Sequence, residues 1–123
     1  MYSFSSLPEF ATLREAIKQE LVEVVPKDAQ RVFIAINEGI NNAIFHGNQE
    51  DSTKTVRLTI ERLPNELKII IRDEGEGFLQ LEQPENGLED HGRGFAIIEH
   101  CVDSYQLNRL GNEITLIKKI NTA

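Results

Sequence analysis

The hydrophobic period changes along this chain, and those changes limit the architectures open to it. Pro8 opens a helical pattern through Phe10, Leu13, Ala16, Ile17, Leu21 and Val22 that ends near Val24-Val25-Pro26. The spacing predicts a second helix over roughly residues 29–46, with Asp28 as its cap and Gly47-Asn48 as its stop. From Val56 the period becomes two: Val56, Leu58 and Ile60 alternate with Arg57, Thr59 and Glu61. After a turn at residues 63–66, residues 67–72 return as a strand. Its apolar centre, Ile69-Ile70-Ile71, predicts burial on both faces. A third helix begins at Gly92 or Arg93 and runs through Phe95, Ile97, Ile98 and Cys101. Two more strands are expected near residues 105–110 and 113–120, joined at Gly111-Asn112, and a short one near residues 1–6, where Tyr2 and Phe4 alternate with serines. The expected fold is α+β: a two-layer sandwich of three helices on one face of a mixed, mostly antiparallel sheet.

A chain of 123 residues fits a single domain, 1–123, and folding buries roughly two-thirds of the surface of an unfolded chain of this size. Lys and Arg number 13 against 20 Asp and Glu, and the basic residues are scattered, with only Lys118-Lys119 adjacent. A duplex-binding face needs clustered cations to displace phosphate counterions, so nucleic acid is not an expected partner. An acidic chain that binds a phosphorylated small molecule needs local devices instead: a metal, a helix N-terminus or glycine-rich backbone. No stretch approaches the roughly 18 apolar residues of a membrane span, and residues 1–20 lack the pattern of a signal peptide. The single cysteine, Cys101, fits a reducing compartment, and a cytoplasmic location is expected.

Three constellations carry possible chemistry. Glu38 and Asn42 stand four apart on the second helix, so their side chains lie one turn above another. One carboxylate and one neutral amide oxygen suit Mg²⁺, which takes few protein ligands; the pair also fits a solvated polar face. His46 follows one turn beyond Asn42, placed either to touch phosphate or to serve the helix C-terminal dipole. Asp73, Gly75 and Gly77 end the apolar strand: the carboxylate can accept an adenine amine proton and the glycines admit a flat ring, although Asp and Gly also make ordinary turns. Gly92-Arg93-Gly94-Phe95 heads the third helix, where free amides and Arg93 attract phosphate; a hinge with a solvent-facing Arg has the same residues.

In order and spacing these elements resemble the ATP site of the superfamily that groups gyrase, a class of heat-shock chaperones, histidine kinases and mismatch-repair ATPases. Glu38-Gly39-Ile40-Asn41-Asn42-Ala43 resembles its asparagine box, residues 73–77 its first glycine box and residues 92–95 its second, with residues 79–91 at the place of its ATP lid. The resemblance implies a Bergerat-type ATP-binding fold with ATP and Mg²⁺ as cofactors. Asn42 would then ligate Mg²⁺ and Glu38 would orient or deprotonate the attacking hydroxyl. Asp73, Gly75, Gly77, Gly92, Arg93, Gly94 and Phe95, with His46, would complete the nucleotide site. The run from Asn42 to Asn48 and that from Gly92 to Ile98 are similar to bacterial anti-sigma-factor serine/threonine kinases. That implies a homodimer that phosphorylates a small antagonist protein and sequesters a sigma factor. Two departures stand out: Asn112 follows Gly111 where many relatives carry Thr, and Phe95 stands where Leu is common. An ATP-binding partner-switch module without transfer fits the same motifs. So does the ATP-binding domain of a two-component histidine kinase, although that protein needs an upstream phospho-accepting His and the first helix here contains none.

Overall fold

A computed structural model describes residues 1–75 and 95–120. Strand β1 (Tyr2–Phe4) is followed by helices α1 (Leu7–Val24) and α2 (Ala29–Asn42), and α2 continues into a π-helical turn, Ala43–Gly47. Strands β2 (Val56–Arg62) and β3 (Glu66–Arg72) come next, then helical residues 95–101, here α3, and strands β4 (Ser104–Leu107) and β5 (Glu113–Lys119).

Each element forms for a local reason. The Ser6 hydroxyl caps α1 by accepting from the Glu9 N–H at 3.3 Å, and Pro8 sits in the first turn, where its missing N–H costs nothing. Asp28 holds the cap position of α2 but makes no side-chain cap bond, contrary to expectation. Its carboxylate lies 3.8 Å from Lys118 Nζ instead. Lys118 is therefore half-buried and also paired with Asp103 at 3.5 Å, not the freely solvated strand-end residue that its neighbour Lys119 suggests.

The sheet has the order β1-β2-β3-β5-β4, and every pairing among the described residues is antiparallel. Alternation puts Val56, Leu58, Leu67, Ile69, Ile71, Ile114 and Leu116 on the face covered by helices, all of them buried. They meet Phe10, Ile17 and Leu21 of α1, Val32, Ile36 and Ile40 of α2 and Ile98 of α3 in one core. The other face is open, so Ile70 is only half-buried. Ile69 and Ile71 fill the covered face, and Ile70 lies on the other, so the run does not mark a strand buried on both. Strand β5 inserts between β3 and β4, which is the topological fact the site depends on: the C-terminal end of β3 meets the loop that enters β5.

Candidate functional site: a cleft at the end of β3

Helix α2 crosses β3 closely because residue 39 is glycine. A Cβ there would stand 2.6 Å from Ile71 Cδ1, so a larger residue requires the end of the Ile71 side chain to move aside. The close approach carries Asn42 and the π turn over the end of β3. The i→i+5 pattern is recorded by the Asn48 N–H donating to the Ala43 carbonyl at 2.8 Å. Gly47 keeps a right-handed backbone within this turn, and the chain reverses at Gln49 and Glu50, with φ of 54° and 61°. The helical run ends at Gly47-Asn48 as expected, but Gly47 is not a left-handed cap. It is glycine because a Cβ at this position would overlap the Asp73 carboxylate. Gly75 is constrained reciprocally, since its Cβ would overlap the Gly47 carbonyl.

Asp73 is consequently enclosed, at 4% exposure. Its Oδ1 accepts from the Gly75 N–H at 2.7 Å, and its own N–H donates to the Asn112 carbonyl at 2.9 Å. Burial pushes its pKa up to about 6, against the pull of the Gly75 N–H, Arg72 and Lys54. A buried carboxyl with a perturbed pKa beside a cleft is a mark of a functional position.

Two side-chain clamps that the sequence reading missed hold this arrangement. Asn48, 2% exposed, accepts from the Glu74 N–H at 2.8 Å and donates to the Thr55 carbonyl at 3.1 Å, tying the end of the π turn to the turn after β3. Glu74 is exposed but bound: its carboxylate accepts from the Thr55 hydroxyl at 2.5 Å and the Thr55 N–H at 3.2 Å, which holds its pKa below the usual value. On the other side, Asn108 Oδ1 accepts from the N–H groups of Gly111 (2.7 Å) and Glu113 (3.2 Å), and its Nδ2 donates to Asn112 Oδ1 at 2.8 Å. Gly111 takes φ of 89°, which favours glycine, and so turns the chain back towards Asp73. Nothing in a one-dimensional pattern distinguishes these asparagines from ordinary turn residues; Asn48 and Asn112 are buried and Asn108 is half-buried.

The resulting cleft contains about 280 Å³ of empty space, open solvent at its mouth included. Gly39, Asn42 and Ala43 form one wall, Ile71 and Asp73 the floor, and Phe95 and Leu107 a second wall; residues 111–114 close the end. Phe95 is fixed by stacking on Tyr105, with ring centroids 5.6 Å apart and planes 10° from parallel. Apolar walls around one buried carboxylate suit a flat heteroaromatic group carrying a proton donor.

Of the ten residues singled out in sequence, Asn42, Asp73 and Phe95 line the cleft, and Gly75 supports Asp73 from behind. Glu38 is half-buried on α2 and His46 is exposed in the π turn; neither is among the lining residues. The step from Asn42 to His46 runs through π geometry, so the four-residue alignment of an α-helix does not apply to it. Gly77, Gly92, Arg93 and Gly94, with the lid expected at 79–91, lie outside the described residues.

Asn42 also has a buried Nδ2 without a hydrogen-bond partner. An orphaned buried amide atom costs about 1–3 kcal/mol, and amide nitrogen and oxygen are assigned, not seen. With the amide turned over, the oxygen occupies this position in the cleft wall, as a cation ligand requires. No cluster of three or more His, Cys, Asp or Glu is present among the described residues, so the fit is to a hard cation that takes one protein oxygen and draws its other ligands from water and phosphate.

A prediction follows for stability. Gly75→Ala should lower the melting temperature by about 5–10 °C, because its Cβ overlaps backbone and the two turns must part, an overpacking cost of about 1–3 kcal/mol. Thermal melts of the two proteins measure it; an unchanged midpoint would show that the turns have room to separate.

A two-layer α+β fold with a buried Asp at the strand end, under a helix bearing Asn, agrees with the histidine kinase-like ATP-binding fold that the motifs lead one to expect. The chain belongs to the histidine kinase-like ATPase domain family, whose model it matches over residues 5–118. Among named relatives, the anti-sigma F factor of Clostridium perfringens is 33% identical over 98 residues, covering 72% of this chain and 70% of that protein. The anti-sigma F factor of Shouchella clausii is 31% identical over 133 aligned positions, covering 98% and 91%. That of Bacillus subtilis is 29% identical over 96 residues, covering 70% and 66%. No helix among the described residues is long and apolar enough to cross a membrane.

Proposed function

We propose that this protein is an Mg-ATP-dependent serine/threonine kinase of the anti-sigma-factor type, which phosphorylates a small antagonist protein and, as a homodimer, holds a sigma factor inactive. The observation that carries the nucleotide reading is Asp73, buried on the cleft floor within a chain of the histidine kinase-like ATPase family. The regulatory half rests on the likeness to proteins named anti-sigma F factor.

In this reading the Asp73 carboxylate accepts a proton donor of adenine, and the walls of Phe95, Ile71 and Leu107 exclude water from the ring. Asn42 supplies a side-chain oxygen to Mg²⁺, which neutralises charge across the phosphate oxygens when bound. By the resemblance, Gly77, Gly92, Arg93, Gly94 and His46 would bind the phosphates. Glu38, one helical turn before Asn42, orients a serine or threonine hydroxyl of the antagonist and takes its proton. The hydroxyl oxygen attacks the γ-phosphorus and ADP leaves. Little covalent chemistry is asked of the protein, because phosphoryl transfer needs mainly positioning and charge neutralisation.

The test has two stages. Mg-ATP at about 100 times its dissociation constant adds roughly 2.7 kcal/mol, which for a domain of this size raises the melting temperature by about 10 °C; a chelator should reverse most of the gain. No rise at millimolar ATP refutes the nucleotide site. Intact-mass measurement of a candidate antagonist after incubation with Mg-ATP should then show one added phosphate on Ser or Thr. A stable complex without phosphate supports the second reading, a partner-switch module that binds nucleotide without transfer. The placement of Glu38 outside the residues lining the cleft is the observation that favours this second reading.

A further inference from the structure

Two walls of the cleft are the ends of two helices. Asn42 stands at the C-terminal end of α2, and Phe95 opens the described part of α3. At their other ends the same helices are joined. Arg31, in the first turn of α2, donates from Nη2 to the His100 carbonyl, in the last turn of α3, at 2.9 Å. The two helices therefore run antiparallel, reaching the cleft at one end and each other at the far end. Because α3 ends at Cys101, the His100 carbonyl lies beyond the reach of the helix's own N–H groups. A guanidinium placed there satisfies that carbonyl and complements the helix dipole.

The same corner is fixed to the sheet. Asp28 at the start of α2 and Asp103 just past α3 both face Lys118 of β5, at 3.8 and 3.5 Å. Asp103 also donates its N–H to the Ile117 carbonyl at 2.9 Å and accepts the Lys119 N–H at 2.6 Å. Between this corner and the cleft, Ile98 is fully buried in the core and acts as a fulcrum for α3. Phe95 and His100 lie on either side of it, about 7.5 Å apart along the axis at the rise of an α-helix. A tilt that releases His100 from Arg31 therefore moves Phe95, whose ring forms a cleft wall.

We infer that Arg31 is a positioning residue: by clamping the far end of α3 to α2 it sets where Phe95 stands in the cleft, and so the affinity for the base. The inference rests on the reading of the cleft as an adenine-nucleotide site. Without the clamp the free chain divides its time between this arrangement and others in which α3 has tilted. The apparent affinity then falls by the fraction that stays competent. One exposed clamp on a helix C-terminus is worth a factor of about five at most, so the loss is modest beside that expected on removing the Asp73 carboxylate.

The experiment measures dissociation constants of the full chain for adenosine and Mg-ATP, together with amide hydrogen exchange. Adenosine carries no phosphate, so its binding does not respond to the loss of a distant positive charge. Arg31→Met keeps the apolar stem and removes the guanidinium. It should bind both ligands about threefold to fivefold more weakly. The amides of residues 99–102 should exchange faster while those of β3 stay as they are, and saturating ATP should restore the protection. Arg31→Lys, which keeps a charged donor, should recover part of both losses. Arg31→Gln carries the same measurements if the methionine variant fails to fold. A lower melting temperature with unchanged adenosine affinity makes Arg31 structural only and overturns the inference. Weaker ATP binding with unchanged adenosine affinity assigns the effect to charge and overturns it too. A wild type that binds neither ligand overturns the nucleotide reading, and this inference with it.

Discussion

Asp73→Asn is expected to weaken adenine-nucleotide binding by about 100-fold. The substitution keeps size and shape, but the Gly75 N–H, 2.7 Å from Asp73 Oδ1, demands an oxygen. The introduced amide must therefore place its oxygen there and its NH₂ where Oδ2 stood. A donor then faces the exocyclic amine, and a charge-assisted bond worth about 1.5–3 kcal/mol is replaced by two opposed donors. Titration calorimetry with Mg-ATP measures the loss. Affinity within twofold of the wild type would remove Asp73 from base recognition.

The same carboxyl predicts two opposite responses to acid. Burial raises its pKa from the ordinary 3.8 to about 6, so the stability it contributes is present in full below 3.8 and is lost as pH rises through about 6. The unliganded protein should therefore gain melting temperature from this group as pH falls from 7.5 to 5. Over that range the ionised acceptor disappears, so the affinity for adenosine, which carries no titrating phosphate, should fall. Melting curves at several pH values, with and without adenosine, read both trends. Asp73→Asn should flatten them; a pH profile that persists in the variant belongs to another group.

Glu38→Ala should separate binding from chemistry. Glu38 is half-buried on α2 and lies outside the residues that line the cleft, and alanine is the better helix former. Stability and ATP affinity should change little. Phosphate transfer to the antagonist should drop by about 10²–10⁴-fold, the usual contribution of a positioned general base. Radiolabel incorporation at saturating ATP reports the transfer, and the melting shift with Mg-ATP reports binding. A fully active variant would place proton transfer on another group; loss of binding and transfer together would make Glu38 structural.

Much of the site's composition is legible in one dimension. Asn42, Asp73 and Phe95, which line the cleft, can be picked out by their motifs: an amide in mid-helix four residues after Glu38, an Asp-x-Gly-x-Gly after an apolar strand, and Gly-Arg-Gly-Phe at the head of the third helix. Gly47 shows where such reading is right about place and silent about cause, since the helical run does end there. A glycine at the end of a helical pattern is the ordinary sign of a left-handed cap, yet here the left-handed residues are Gln49 and Glu50. Gly47 answers to Asp73, 26 positions away in the chain, whose carboxylate fills the space of a side chain. Asn48 and Asn112 read as turn residues for the same reason: what makes each specific is a backbone partner supplied by another element. Ile70 erred in the opposite direction, because a run of three isoleucines says how apolar a strand is but not how many of its faces are covered.

Hydrophobic period and local capping determined by themselves that this chain makes helices, then hairpins, in an α+β order, because those preferences are set within a few residues and need no distant partner. The placement of β5 between β3 and β4 was decided only in three dimensions. Strand order depends on which edges pair after the chain has turned, and no local spacing records it. That one choice sets the β5 entry loop against the end of β3, so the Asn112 carbonyl meets the Asp73 N–H. It therefore assembles the cleft floor from residues that the sequence leaves 39 positions apart.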